Sequence, residues 1–185
     1  MTITTPWPGP DRRMTRAFTL VEVMVASIIG TFLMLGILTT FLFLGRSGAN
    51  IVNYSEMEFQ SRRALELFAE DTRQASAITW NSATSVTFVV DTQSITWAYN
   101  GSGTLTRQLG TATPVSMITG ITTFAFTAYD ITGSLISLTD LTAAGKGTKQ
   151  LQISLQATRH SQTVSAATNL VLSARYILRN KRITA

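Results

Sequence analysis

Residues 18–44 read FTLVEVMVASIIGTFLMLGILTTFLFL, and Glu22 is the single charged residue among these 27. The 23 residues from Val23 to Gly45 carry no charge at all. A helix that crosses a bilayer needs about 20 apolar residues, so this run is long enough to span a membrane. It is too long for the apolar region of an ordinary secretory signal peptide, which has about 7–15 residues. The run also exceeds the usual length of a buried core helix, and it therefore predicts a membrane-spanning helix.

The residues before this run are polar and indicate which way the chain crosses the membrane. Residues 1–17 contain three prolines that disfavour a stable helix there. Three arginines stand close to the apolar run: Arg12, Arg13 and Arg16. Because arginine and lysine are retained on the cytoplasmic side, we expect the N-terminus in the cytoplasm and the remainder of the chain outside.

Glu22 is the unusual residue of the apolar run. A carboxylate inside the hydrocarbon region costs roughly 2.5–3.5 kcal/mol on insertion scales, and such residues generally have a functional partner. A plain signal anchor explains the length of the run but gives Glu22 no role. The acid therefore favours an interaction within or beside the membrane.

The segment Arg16-Ala17-Phe18-Thr19-Leu20-Val21-Glu22-Val23 resembles the processing site of type IV prepilins and type II secretion pseudopilins. The resemblance implies that a prepilin peptidase cuts between Ala17 and Phe18 on the cytoplasmic side. Residues 1–17 are then a leader that is removed, and the new N-terminal residue, Phe18, is methylated. The usual residue before the cut is glycine, and Ala17 is a small departure from it.

The same resemblance implies a role for Glu22, which becomes the fifth residue of the mature chain. In the family this acid pairs with the N-terminal amine of an adjacent subunit and sets the register of assembly. Pairing of a carboxylate with an ammonium relieves the cost that each group has alone in lipid.

The residues after the apolar run predict that the helix continues with one apolar face. Apolar and small residues recur near a spacing of 3.6, and no proline interrupts residues 18–79. The stripe consists of Tyr54, Met57, Ala64, Leu65, Phe68, Thr72 and Ala75. We expect one helix from about Thr19 to about Ser76, loosened near Gly45–Gly48 and roughly 85 Å long. Residues 18–45 would form its transmembrane and assembly half, and residues 46–79 its amphipathic half.

From Ser82 onward the pattern changes to alternation with a period of two, which indicates strands in residues 80–185. Ile95–Tyr99 and Thr104–Leu109 flank Asn100-Gly101-Ser102-Gly103 and predict a hairpin. Further strands are expected in Ile121–Tyr129, Leu135–Leu138, Lys149–Ala157 and Asn169–Arg179. The predicted fold is α+β and pilin-like: an antiparallel sheet of about six or seven strands packs on the second half of the helix in a head of residues 46–185.

Two features of this head resemble the W-type minor pilins and J-type minor pseudopilins. One is the end of the helix, from Arg63 to Ala75, and the other is the order of the later strands. The chain is thus similar to minor pilins of the W/J type, whose function is to initiate or cap a filament.

Residues that commonly carry catalysis or metal binding are scarce. The chain has no cysteine and one histidine, His160, which we interpret as a solvated surface residue. Asp130 and Asp140 are interpreted as turn residues rather than a calcium site. Gly145-Lys146-Gly147 is expected to be a flexible turn, and Trp80 and Trp97 are expected in the core. We therefore expect no catalytic residue, no metal and no cofactor.

The charge of the chain also fails to point to nucleic acid. It has 15 basic and 10 acidic residues, for a net charge of +5. Loss of residues 1–17 leaves 12 basic and 9 acidic groups, or +3, which is mild and dispersed.

Two functional hypotheses follow. The first is a minor pilin or pseudopilin, a structural subunit rather than an enzyme. Its partners would be other minor and major pilins or pseudopilins, the prepilin peptidase and the inner-membrane assembly platform. It would reside in the inner membrane and then in the filament near its tip. The alternative is an extracytoplasmic binding domain or enzyme on a signal anchor. Type IV pilus, type II secretion and DNA-uptake systems all remain open for the first hypothesis.

Overall fold

The computed structural model describes residues 17–159 and 168–182. Within them the expected helix and strands are present, and the α+β, pilin-like architecture is confirmed. The chain divides into two compact units, Met1–Leu44 and Gly45–Ala185. The leader residues 1–16 and His160 lie outside the described residues, so their predicted roles are not addressed by the fold.

The long helix, α1, runs from Leu20 to Gln74. It is helical through Gly45–Gly48, so the predicted loosening there is wrong. An added Cβ at Gly45 or Gly48 would meet no atom within 4 Å, so no neighbouring atom requires glycine at either position. After Gln74 the chain leaves the helix at Ser76, whose backbone N–H and hydroxyl both donate to the carbonyl of Val89.

The strands of the second unit form two antiparallel sheets rather than the single sheet of six or seven strands that the alternation predicted. The first sheet has five strands in sequential order: β1 (Ala77–Ser82), β2 (Ser85–Val90), β3 (Gln93–Tyr99), β4 (Thr104–Leu109) and β5 (Val115–Thr119). The second has four, in the order β7, β6, β8 and β9: β6 (Ile121–Tyr129), β7 (Leu135–Ile136), β8 (Gln150–Arg159) and β9 (Thr168–Ile177).

Gly120 is the residue at which the chain passes from the first sheet to the second. Its φ of +77° is a conformation that other residues rarely adopt. Its carbonyl accepts the backbone N–H of Thr158 at 2.7 Å, which fixes the start of β6 against β8. Gly120 is thus the single residue between β5 of the first sheet and β6 of the second. The alternation of apolar and polar residues does not show that these two strands belong to different sheets.

The predicted hairpin is confirmed as β3 and β4, with Trp97 opposite Arg107. The side chain of Asn100 accepts the backbone N–H groups of Ser102 and Thr104, which closes the four-residue loop. Gly101 and Gly103 supply the two positive φ angles that this loop needs.

A second helix, α2 (Leu141–Gly147), occupies a segment in which Gly145-Lys146-Gly147 was expected to be a flexible turn. The Asp140 carboxylate accepts the backbone N–H groups of Thr142 and Ala143, and this N-cap starts the helix. A Cβ at Gly145 would lie 3.1 Å from the carbonyl oxygen of Ile78, so glycine lets α2 pack closely on the outer strand β1.

Phe68 of α1 lies at the centre of the core and is fully buried. Its ring is 5.2 Å from that of Trp97 and between 5.7 and 5.8 Å from three others, those of Phe88, Phe126 and Tyr176. Edge-on and offset contacts of this kind add to the free energy of apolar burial. The core location expected for Trp80 and Trp97 is confirmed.

The predicted apolar stripe of α1 is buried from Met57 onward, at Met57, Ala64, Phe68, Thr72 and Ala75. Leu65 is half-buried. Tyr54 remains 49% exposed, and its assignment to the core stripe is wrong. Apolar spacing on a helix gives no information on where the covering sheets end, and here the first fully buried residue is Met57.

A buried ion pair joins α1 to the first sheet. Asp71, 3% exposed, accepts two hydrogen bonds from the Arg107 guanidinium and one from the Trp97 indole N–H, each at 2.8 Å. The hydrogen bond to Asp71, opposed by burial, raises the pKa of Arg107 above its ordinary value. Because three donors satisfy the carboxylate, its desolvation is largely offset, and the pair orients α1 on β3 and β4.

Candidate functional site

The first unit presents an apolar helix surface that nothing in that unit covers. Every residue from Ala17 to Leu44 is exposed, including Phe18 at 80% and Phe32 at 76%. By length and composition α1 is able to cross a membrane, with a mean hydropathy of 2.2 over its most apolar 18-residue window and none of that window buried. Exposed apolar surface of this extent calls for lipid or another apolar partner.

The hydroxyl groups in this helix are compatible with such surroundings because the helix itself satisfies them. Ser27 donates to the carbonyl of Val23 and Thr31 donates to that of Ser27, each at 2.8 Å. Thr39 and Thr40 both donate to the carbonyl of Gly36. Polar groups in a bilayer need internal partners, and these four hydroxyls have them.

The N-terminus of α1 carries the residues that the sequence singled out. Ala17 and Phe18 lie before the helix in exposed, non-helical backbone. Leu20 is the first helical residue, so Glu22 falls in the first turn. The predicted cut thus lies in backbone outside the helix, with Phe18 and Thr19 between it and the first helical residue. The N–H of Val23 donates to the carbonyl of Thr19 in the first turn.

Glu22 and Thr19 form a reciprocal arrangement that the sequence reasoning missed. The backbone N–H of Glu22 donates to the Thr19 hydroxyl at 3.2 Å, and the backbone N–H of Thr19 contacts Glu22 Oε2 at 3.5 Å. This is a capping box, in which a threonine and a glutamate three residues later satisfy free N–H groups of the first turn. The Thr-x-x-Glu spacing was visible in the sequence and is a known signal of a helix start.

Glu22 has two properties at the helix start, an acceptor oxygen and a negative charge. Its oxygen acts as an acceptor at the helix start, and its negative charge lies near the positive end of the helix dipole. A glutamine at this position retains an acceptor and loses the charge. The 3.5 Å contact is at the long limit for a hydrogen bond, so the carboxylate binds the N–H of Thr19 only weakly.

Asp130 and Asp140, considered as calcium ligands from the sequence, are engaged locally. Asp130 Oδ1 accepts the Thr132 hydroxyl at 2.7 Å and the Ser134 N–H at 2.8 Å. The Thr132 hydrogen bond, with that of Ser134, lowers the pKa of Asp130. Asp140 caps α2. Across residues 17–159 and 168–182, no three histidine, cysteine, aspartate or glutamate side chains gather where a metal ion could bind.

Comparison with known proteins bears on the N-terminal region. Residues 12–38 match the family described as the prokaryotic N-terminal methylation motif. The matched range contains the predicted cut between Ala17 and Phe18 and the capping pair Thr19 and Glu22. A search of curated proteins finds no significant match to the chain. The chain carries this N-terminal motif, and together with the apolar helix it supports inner-membrane anchoring and a type IV pilin-like or pseudopilin-like subunit.

Proposed function

We propose that this protein is a minor pilin or pseudopilin, a structural subunit that initiates or caps a type IV pilus or a type II secretion pseudopilus. The match of residues 12–38 to the methylation motif carries this proposal. The exposed apolar surface of α1 supports it, because such a surface is covered first by lipid and then by neighbouring subunits in a filament.

In this proposal the prepilin peptidase removes residues 1–17 by cutting between Ala17 and Phe18, and Phe18 is then methylated. The exposed, non-helical backbone at both residues supports access by a peptidase. Residues 18–45 are then the membrane and assembly segment, and residues 46–185 are the extracytoplasmic head. The head carries α1 from residue 46 and both sheets.

The charge of Glu22 serves assembly in this account. After the cut, Phe18 carries a free ammonium group, and the Glu22 carboxylate of one subunit pairs with the amine of the next. The long contact between Glu22 and Thr19 supports this role, because the carboxylate has little to lose on exchanging Thr19 N–H for an ammonium. Partners are therefore other pilins or pseudopilins and the inner-membrane assembly platform. A location near the filament tip agrees with the W/J-type resemblance of the head.

Mass spectrometry of protein extracted from membranes tests the processing directly. We expect an N-terminal Phe18 that carries a methyl group. Ala17→Leu places a bulky side chain before the cut and should leave the intact Met1 terminus, while Ala17→Gly should be processed at least as well as the natural chain. An intact leader on the natural, assembled chain, or a cut beyond residue 40, would contradict the proposal.

A further inference from the structure

The second unit contains a cavity of about 430 Å³ between β1, α2 and the C-terminal segment. Residues Ser76–Trp80 form one wall, and Leu141 and Gly145 of α2 contribute another. The volume lies within the range of about 300–1,000 Å³ that is usual for ligand sites. No motif of the sequence and no part of the proposed filament role accounts for this cavity.

Three cations line the cavity: Lys146, Lys181 and Arg182. Lys149 lies next to Lys181, because its ammonium donates to the carbonyl of Lys181. Over the described parts of the chain there are three ion pairs, those of Arg62 with Glu58, Arg107 with Asp71 and Arg159 with Glu56. None of them involves the cavity cations, so residues 17–159 and 168–182 give the cavity a positive charge that no carboxylate among them pairs with.

Lys181 is the most constrained of these cations, with 7% of the residue exposed. Its ammonium donates to the carbonyls of Lys146 at 2.6 Å and Thr148 at 2.8 Å. An ammonium has three donors, and the described residues accept from two of those of Lys181. Burial, together with the charge of Lys149, lowers the pKa of Lys181. A neighbouring anion would offset both effects.

Asp140, the acid on the loop that leads into α2, is already engaged. It accepts the N–H groups of Thr142 and Ala143 at the first turn of α2. Lys146 lies at the opposite end of that helix, in its last turn. Among the described residues, no carboxylate is paired with a cation of the cavity.

We propose that this cavity binds a carboxylate side chain of an acidic peptide segment from a partner protein. The positive charge of the cavity favours an anion, and the apolar residues of its lining favour an anion that carries an aliphatic stem. The half-buried Leu141 and the small exposed parts of Ile78 and Trp80 supply apolar surface beside the cations, which suits the aliphatic stem of a glutamate. Nucleic-acid grooves instead arrange cations along a stripe with exposed stacking aromatics, whereas Trp80 is buried and donates to the Thr148 hydroxyl.

This inference concerns the head alone and does not depend on the proposed filament role. Binding to the cavity and processing at Ala17 are separate measurements, so failure of one leaves the other intact.

The test is calorimetric titration of the full chain in detergent with a capped six-residue peptide of alternating alanine and glutamate. The matched probe replaces each glutamate by glutamine. The double variant Lys146→Gln/Arg182→Gln removes two lining charges. The control Arg46→Gln/Arg63→Gln removes the same charge from exposed positions of α1. A short DNA duplex serves as the polyanion probe. Lys181 is left unchanged because its hydrogen bonds also support the fold.

We expect the glutamate peptide to bind the natural chain and the control equally. The cavity variant should bind it about fivefold more weakly, a loss of about 1 kcal/mol, because two of the charges that face the peptide are removed. The glutamine peptide should bind no better to the natural chain than to the cavity variant. Equal affinity of both peptides, an equal loss in the control, or no peptide binding would overturn the proposal. Binding of the duplex alone, lost in the cavity variant, would overturn it in favour of nucleic acid.

Discussion

The two units of the chain differ in what covers their apolar side chains. In the second unit, Phe68, Phe88 and Trp97 are fully buried against one another. In the first unit, Phe18, Phe32 and Phe41 are between 67% and 80% exposed. The second unit thus has a buried aromatic core, whereas these aromatic side chains of the first unit are exposed.

This difference indicates that the second unit buries a core of its own, whereas the apolar surface of the first unit is left to be covered by lipid or another molecule. The first unit satisfies its hydrogen-bonding groups internally, including the hydroxyls of Ser27 and Thr31. Burial of its apolar surface is the missing contribution, worth roughly 25 cal/mol for each Å² removed from water. Substitutions in the second unit should therefore alter its own stability, whereas substitutions in the first should alter interactions with other molecules.

The largest expected effect follows from truncation at the centre of the core. Phe68→Ala removes a fully buried ring and should lower the free energy of unfolding of the head by roughly 3–5 kcal/mol. Phe59→Ala on the same helix is the control, because Phe59 is 64% exposed and its loss should cost less than about 0.5 kcal/mol. Near-ultraviolet circular dichroism during denaturation of the full chain in detergent measures both. Equal losses would contradict the burial contrast within α1.

The ion pairs offer a second contrast, between a buried pair and an exposed one. Asp71→Ala leaves Arg107 without its partner and should cost about 3 kcal/mol. Glu58→Ala breaks the exposed pair with Arg62, whose N···O distance is 2.7 Å, and should cost about 0.3–0.5 kcal/mol. The same denaturation experiment compares the two variants. A loss at Glu58 as large as that at Asp71 would show that burial does not decide the strength of these pairs.

Alanine substitutions at two glycines with similar φ angles test the connection between the two sheets. Gly101 has a φ of +75° and open space around it, so Gly101→Ala should cost only about 1–2 kcal/mol of backbone strain. Gly120 has a φ of +77°, and a Cβ there would lie 2.8 Å from the carbonyl oxygen of Thr158. Gly120→Ala should therefore cost about 1–3 kcal/mol more, since packed backbone must move. Identical unfolding midpoints for the two variants would argue against close packing of Gly120 on β8.

Apart from the control variants, the smallest effect is expected in the first unit. Thr19→Ala removes the capping hydroxyl and should weaken the first turn of α1 by about 1 kcal/mol. Amide hydrogen exchange at Glu22 should become faster by up to about tenfold, while the unfolding of the head stays unchanged. A shift in the unfolding midpoint of the head would mean that the two units do not respond separately.

Much of the architecture was predictable because it rests on local patterns. The apolar run of residues 18–44 and the spacing of Met57, Ala64 and Phe68 predict the helix and its buried face. Strict alternation at Ile95–Tyr99 predicts β3. Division of the strands into two sheets was not predictable, because it depends on the φ of Gly120 and on its hydrogen bond to Thr158. Helix α2 was missed because two glycines in three residues outweighed the capping signal of Asp140.

Contacts between residues close in sequence were also predictable outside the fold itself, whereas contacts between distant residues were not. Thr19 and Glu22 are three residues apart, and their capping box was readable as Thr-x-x-Glu. Asp71 and Arg107 are 36 residues apart, and nothing in the spacing of either residue connects them. The cations of the cavity come from α2 and the C-terminal segment, which only the fold brings together.

Crosslinking of a Glu22→Gln variant to neighbouring pilins tests the central claim most directly, with membrane level and Phe18 processing as controls. Glutamine keeps an acceptor for the capping box and loses the charge, whereas Thr19→Ala weakens the cap and keeps the charge. The account predicts that Glu22→Gln inserts and is processed normally yet fails to crosslink to its neighbours, while Thr19→Ala still assembles. Normal assembly of Glu22→Gln would contradict the charge-pairing role and return the apolar helix to the status of a plain membrane anchor.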